Sequence, residues 1–181
     1  MFKWETTGNA VTAGQSGTIY KVRCATDSSK NKFGETLFIK KQFAKGKSLT
    51  RFINEVDCHR RASEFNVAPK IIDFNSEAKA GPYIIMEECS STLLQLINQQ
   101  QCMYEYQLAQ IRILYSKLNR MGIQHNDANL GNVMLLNGTF HLIDFGMSTS
   151  IPGGSNEASF KLLRSRIQRE LCALTPRHSE Q

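Results

Sequence analysis

At 181 residues the chain is long enough for one domain, or a small two-lobed one, whose core needs no disulfide or metal to hold it. Hydrophobic residues at 41% and charged residues at 21% exclude a disordered or fibrous chain, and no apolar run approaches the roughly 18 residues of a membrane span. The net charge of +6 is uneven, with 13 basic and 6 acidic side chains in Met1–Lys70, and the five scattered cysteines suggest neither a disulfide framework nor a zinc site.

Met1–Ala10 has no apolar core of the kind a signal peptide needs, and a reducing cytosol is the expected compartment. Thr18–Cys24 and Glu35–Phe43 alternate partly and read as two strands of a hairpin, joined by a polar run from Asp27 to Gly34. Ser48 is placed to cap a helix running to about Asn66, which Ala68-Pro69 stops. Strands Ile71–Asn75 and Tyr83–Glu87 follow, punctuated by Ala80-Gly81-Pro82.

From Ser91 the apolar period changes from two to about 3.6. Thr92–Gln100 is a short helix. Tyr104–Met121 is a longer one with Leu108, Ile111, Leu114, Tyr115, Leu118 and Met121 on one stripe, closed by Gly122. Asn137-Gly138 predicts a tight hairpin between Val133–Leu136 and Phe140–Ile143. Ser155 is set to cap a last helix, with Phe160, Leu163, Ile167 and Leu171 facing inward and Lys161, Arg164 and Arg169 outward. The expected class is α+β, with an antiparallel sheet lobe followed by a helical lobe.

Chemistry concentrates in His125-Asn126-Asp127-Ala128-Asn129-Leu130-Gly131-Asn132, just before that hairpin, and in Asp144-Phe145-Gly146, just after it. Two carboxylates and an amide at the ends of short strands suit Mg²⁺, which takes oxygen from one or two side chains and the rest from phosphates and water. Each fragment alone is an ordinary turn residue. Their combination and the Asp-x4-Asn spacing are far more specific.

These fragments resemble the catalytic-loop and D-F-G signatures of protein kinases. The resemblance implies ATP and Mg²⁺ as cofactors, Asp127 as the group that receives or orients the proton of a substrate hydroxyl, Asn132 and Asp144 as metal ligands, and His125 as a buttress of the loop. It extends to a glycine-rich loop over Thr12–Ile19, where Gly14, Gln15, Ser16 and Gly17 would approach the phosphates and Thr12 replaces the first glycine. Leu37-Phe38-Ile39-Lys40 falls where the family's V-A-I-K strand should be. Lys40 would then reach the α- and β-phosphates, with Lys41 as the alternative register. Glu55 would hold that lysine, Asp57 and Glu64 being the other acids of the helix. Met86 would sit behind the adenine, and the backbones of Glu87 and Cys89 would pair with its edge.

The resemblance implies one kinase domain over 1–181, with a sheet lobe to about residue 88 and a truncated, mainly helical lobe from about 89. Only 35 residues follow Gly146 and no A-P-E occurs. This is similar to the minimal kinases that bacterial type III secretion systems inject into host cells, the HopBF-type and OspG/NleH-like effectors. That similarity implies a serine/threonine kinase acting on a host protein, the ninety-kilodalton heat-shock chaperone for the HopBF type. It also implies a monomer in the host cytoplasm, the producing cell's cytoplasm being the alternative. Neither nucleic acid nor a membrane is an expected partner. Asn126, where the family often carries arginine, cannot read a phosphate, so activity without loop phosphorylation is expected despite Ser148, Thr149, Ser150 and Ser155; Arg164 or Arg166 would have to serve otherwise. Competing readings are a Bud32-like or small-molecule kinase and a pseudokinase that only binds a partner.

Overall fold

The computed structural model describes residues 2–14, 17–25, 36–46 and 48–174. Its first part is an antiparallel sheet built from β1 (Trp4–Thr6), β2 (Thr12–Gly14), β3 (Gly17–Cys24), β4 (Leu37–Gln42), β5 (Ile71–Asn75) and β6 (Tyr83–Glu87). The spatial order is β1-β3-β4-β6-β5, with β2 also paired to β3. Helix α1 (Leu49–Glu64) crosses between β4 and β5. The strands fall close to the expected spans, while the polar run Asp27–Gly34 lies outside the described residues. Strand β1 was not expected: Trp-Glu-Thr has no periodicity to read, and its partner is β3. Trp4 donates its indole N–H to Asp73 at 2.7 Å and meets Phe38 edge-on, which anchors this end of the chain to the sheet.

Alternation gives the sheet two distinct faces. Ile39, Ile84 and Met86 pack with Phe43, Phe52 and Val56 toward α1. Val22, Phe38 and Ile85 make a second cluster with Trp4, Tyr20 and Tyr83. Lys40 stands opposite Ile85 in the β4–β6 register and Lys41 opposite Ile84, so Lys41 shares the α1 face and Lys40 the other. Ser48 precedes α1, but its side chain makes no capping bond.

The second part contains β7 (Ser91–Thr92), α2 (Leu93–Gln100), α3 (Glu105–Arg120), β8 (Ile123–Gln124), β9 (Val133–Leu136), β10 (Thr139–Leu142), β11 (Thr149–Ser150) and α4 (Glu157–Leu174). Thr92 caps α2 reciprocally with Gln95, which satisfies donors that the first turn leaves unpaired. Asn137 and Gly138 both have positive φ, at 50° and 78°, as the two-residue β9–β10 turn requires. Ser155 accepts from the Glu157 N–H at the start of α4. No helix among the described residues is long and apolar enough to cross a membrane.

One large core joins Leu93, Ile97, Ile111, Leu114, Leu118, Val133, Leu142, Phe160 and Leu163, and Cys58 and Ala62 of α1 belong to it. The α3 stripe is therefore buried as its spacing predicts, with Leu108 and Met121 at the margin. Leu118 is wholly buried and Leu162 is 44% exposed. Leu118→Ala should destabilise the fold by about 2–5 kcal/mol through lost transfer energy and an unfilled cavity. Leu162→Ala should stay within about 0.5 kcal/mol in chemical denaturation, and equal losses would contradict this core assignment.

Candidate active site

The buried centre of the site is an amine between two carboxylates. Lys41 donates to Glu55 Oε1 at 2.6 Å and to Asp144 Oδ1 at 2.7 Å. Lys41 and Glu55 are buried, at 6% and 1% exposure. This corrects the expected Lys40 register: Lys40 lies on the opposite face of β4, with its ammonium over the Tyr83 ring at 4.7 Å. Burial there lowers the Lys40 pKa from the usual lysine range. The physical reason is the pleat, since only the face of β4 that carries Ile39 and Lys41 looks toward α1. Glu55, rather than Asp57 or Glu64, holds the lysine. Asp57 instead faces Arg60 and Arg61 at 3.7 and 3.6 Å.

Asp144 has a left-handed backbone, φ 61° and ψ 70°, and its carboxylate accepts from the Gly146 N–H. A Cβ on Gly146 would sit 3.1 Å from Glu55 Oε2 and 3.2 Å from Asp144 Oδ1, so the glycine lets α1 approach the D-F-G turn. Phe145 is fully buried against the rings of His59, centroids 5.3 Å apart, and His125, 4.9 Å apart.

His125 does buttress the loop, with Nε2 at 3.0 Å from the Ile143 carbonyl. Asn126, at φ 61°, donates its side-chain amide to the Met147 carbonyl and the Thr149 hydroxyl. Asn132 Nδ2 donates to Asp127 Oδ2 at 2.7 Å, fixing that carboxylate. The bond uses the nitrogen end of the amide, so Oδ1 is the atom Asn132 can offer a cation. Among the described residues there is no cluster of three His, Cys, Asp or Glu to enclose a metal. An Asp144 carboxylate and an Asn132 amide oxygen instead fit Mg²⁺, a hard cation that draws its remaining ligands from phosphate and water.

Gly17 has φ +135°, and a Cβ there would come within 2.6 Å of the Gln42 carbonyl, so the β2–β3 turn requires glycine. Gly14 pairs with Gly17 across that turn, while Gln15 and Ser16 lie outside the described residues. Met86 is buried on β6, beside β4 and opposite Ile39. The Glu87 N–H bonds to the Lys70 carbonyl. Cys89, whose thiol burial and the neighbouring Glu87 and Glu88 push up to about 12, lines a cavity of about 470 Å³ with Leu37, Glu88, Ser90, Leu136 and Asn137. That cavity does not reach Lys41, Asp127 or Asp144.

Three supporting residues escaped the sequence reading because their contacts are distant along the chain. His59 bonds the Pro69 carbonyl at 2.8 Å beneath Phe145. Asn54 donates to the Ser148 carbonyl, carrying α1 onto the segment after D-F-G. Asn156, 1% exposed, receives the His125 N–H and donates to Asn119 and to the Ile123 carbonyl, locking the catalytic loop to the start of α4.

The protein kinase domain family matches residues 6–166, and the chain belongs to that family. It is also similar to a protein of Encephalitozoon cuniculi (strain GB-M1) described as "Probable serine/threonine-protein kinase". The two are 26% identical over 147 residues, which is 80% of this chain and 27% of that relative. The chain thus spans about a quarter of the relative's length.

Burial drives the His59 pKa down to about 4, against a smaller upward pull from the Pro69 carbonyl, and also lowers that of His125. A histidine whose folded pKa is depressed is protonated more readily in the unfolded chain, so its contribution is present above the unfolded pKa and is lost on acidification. Stability should therefore fall between about pH 6.5 and pH 4, with His59 contributing ~3 kcal/mol. In urea titrations across that range His59→Leu should flatten the slope, and an unchanged slope would contradict the assignment.

Proposed function

We propose that the chain is an ATP- and Mg²⁺-dependent protein kinase that transfers the γ-phosphoryl group to serine or threonine hydroxyls of a protein. The observation that carries this reading is the buried Lys41, bonded at once to Glu55 of α1 and Asp144 of D-F-G. An ammonium fixed by two anions is placed to meet the α- and β-phosphates without reorganising. Asp144 and Asn132 would hold the metal, which supplies charge neutralisation across the phosphates. Asp127, fixed by Asn132, accepts the hydroxyl proton of the acceptor. The serine/threonine class follows the description of the Encephalitozoon relative.

Within that reading we place the chain with the compact effector kinases, acting on a host protein in the host cytoplasm, the ninety-kilodalton heat-shock chaperone being the substrate to test. Support comes from the connection 147–156, which alone separates D-F-G from α4. A Bud32-like or small-molecule kinase would instead phosphorylate its own class of acceptor. A pseudokinase would bind nucleotide or partner without turnover.

The test is γ-labelled ATP with Mg²⁺, the purified chaperone and a eukaryotic lysate, followed by phosphosite mapping. Label on serine or threonine is expected, and its absence from every protein would overturn the kinase reading. Lys41→Ala and Asp144→Ala should abolish transfer, while Lys40→Ala should retain it. Asp127→Ala should lower turnover by roughly 10²–10⁴ with nucleotide binding retained in calorimetry. Equal loss of binding would make Asp127 structural.

A further inference from the structure

The segment Met121–Phe160 carries Asp127 and Asp144 and contains no lysine or arginine. The catalytic loop therefore brings no cation of its own to the site. Lys41 is already shared by Glu55 and Asp144. Together with Asp127 these side chains hold one positive and three negative charges, an excess of two negative charges before any polyphosphate arrives. Further anionic oxygens are repelled there unless more positive charge stands nearby, and the effect grows as water is excluded.

One arginine reaches the loop from outside it. Arg166, on α4, donates its Nη1 N–H at 2.6 Å to the carbonyl of Ala128, the residue directly after Asp127. Ala128 is buried and Arg166 half-buried. A guanidinium has five N–H donors, and among the described residues Arg166 belongs to no ion pair. The buried Tyr115 of α3 feels both charges: burial chiefly holds its hydroxyl above the usual tyrosine range, the Asp127 carboxylate adds to that, and Arg166 works against it. Other arginines are engaged elsewhere. Arg61 donates to the Ser150 hydroxyl and the Met121 carbonyl, and Arg112 lies over the Phe160 ring at 5.7 Å.

We propose that Arg166 is a positioning residue for phosphoryl transfer, fixing the peptide after Asp127 and lending the catalytic loop the positive charge it lacks. The inference rests on the kinase reading above. In that reaction the acceptor oxygen bonds to the γ-phosphorus, the bond from that phosphorus to the β–γ bridging oxygen breaks, ADP leaves, and the hydroxyl proton passes to Asp127. Asp127 is held from two sides, its carboxylate by the Asn132 amide and the peptide after it by Arg166. Phe160, Leu163 and Ile167 of α4 are buried in the main core, so the guanidinium projects from a fixed base. A charge set in place beforehand stabilises the transition state without reorganising. Arg166 acts through the loop, and its loss should slow the chemical step more than it weakens binding.

The test uses the full chain with Arg166→citrulline, a neutral isostere that keeps N–H donors, introduced by ligating a synthetic C-terminal segment. Arg166→Lys, which keeps the charge, is its companion. With Mg²⁺, γ-labelled ATP and a generic protein substrate, kcat should fall roughly 10- to 10²-fold with citrulline and stay within about threefold of wild type with lysine. The KM for the protein substrate, the affinity for a non-hydrolysable ATP analogue in calorimetry and the melting temperature should hardly move. An unchanged kcat with citrulline would leave only a structural hydrogen bond and overturn the proposal. So would an equal loss of kcat in both variants with lowered melting temperatures. A loss confined to KM would make Arg166 a docking cation, and a matching loss of analogue affinity would make it a nucleotide ligand, each against the positioning role. Wild type that labels no protein would instead tell against the kinase reading and remove this inference with it.

Discussion

Two carboxylates taken out of water need a cation, and in this molecule one lysine serves both. Glu55 comes from α1, Asp144 from the turn after β10 and Lys41 from the sheet, so a single buried ammonium is the point at which three otherwise separate segments meet. Removing Lys41 withdraws the shared cation from both carboxylates, and loss of one partner costs on the order of several kcal/mol in comparable buried pairs. The close approach also sets local demands, and Gly146 answers one of them by leaving room for the Glu55 carboxylate.

Around that centre the polar scaffold is built from amides more than from charges. Asn54, Asn126 and Asn156 each connect segments distant in sequence through a neutral donor to a carbonyl or hydroxyl, and Asn132 fixes the Asp127 carboxylate five positions away. Neutral hydrogen bonds are weaker singly than ion pairs but are little screened by salt. The family's arginine before the catalytic aspartate is thereby replaced by a residue that orders the same region without requiring an anion. The excess positive charge of the first seventy residues is likewise not spread evenly: Lys41 is buried, Lys40 lies over an aromatic ring, and Arg61 is fixed to the α3–β8 turn.

Much of this was readable in advance where the determinant is local. The Asn137-Gly138 turn, the α3 stripe and the Asp127–Asn132 spacing depend on residues a few positions apart, and all three appear where their patterns place them. The lysine register was not readable, because two adjacent lysines differ only in the face of β4 they occupy, and that face is set by α1, whose docking side no strand pattern reveals. Ile39 and Phe43 share a parity with Lys41, but Phe38 shares one with Lys40, so alternation alone leaves both faces open. His59, Asn156 and Arg61 were illegible for a related reason, since each acts through a contact ten to eighty-nine positions away. Strands β1 and β11, three and two residues long, are too short to carry a period at all.

The division of α1 between two cores has a dynamic consequence. Its first turns present Leu49 and Ile53 to solvent, at 57% and 46% exposure, while Cys58 and Ala62 are sealed within the main core of the second part. The helix is thus anchored in two places, by Phe52 and Val56 in the sheet cluster and by Cys58 and Ala62 in the main core, and backbone amide exchange should be fast only in its first turn near Leu49. Glu55 lies between the two anchor points, so its distance from the sheet is set by both cores at once.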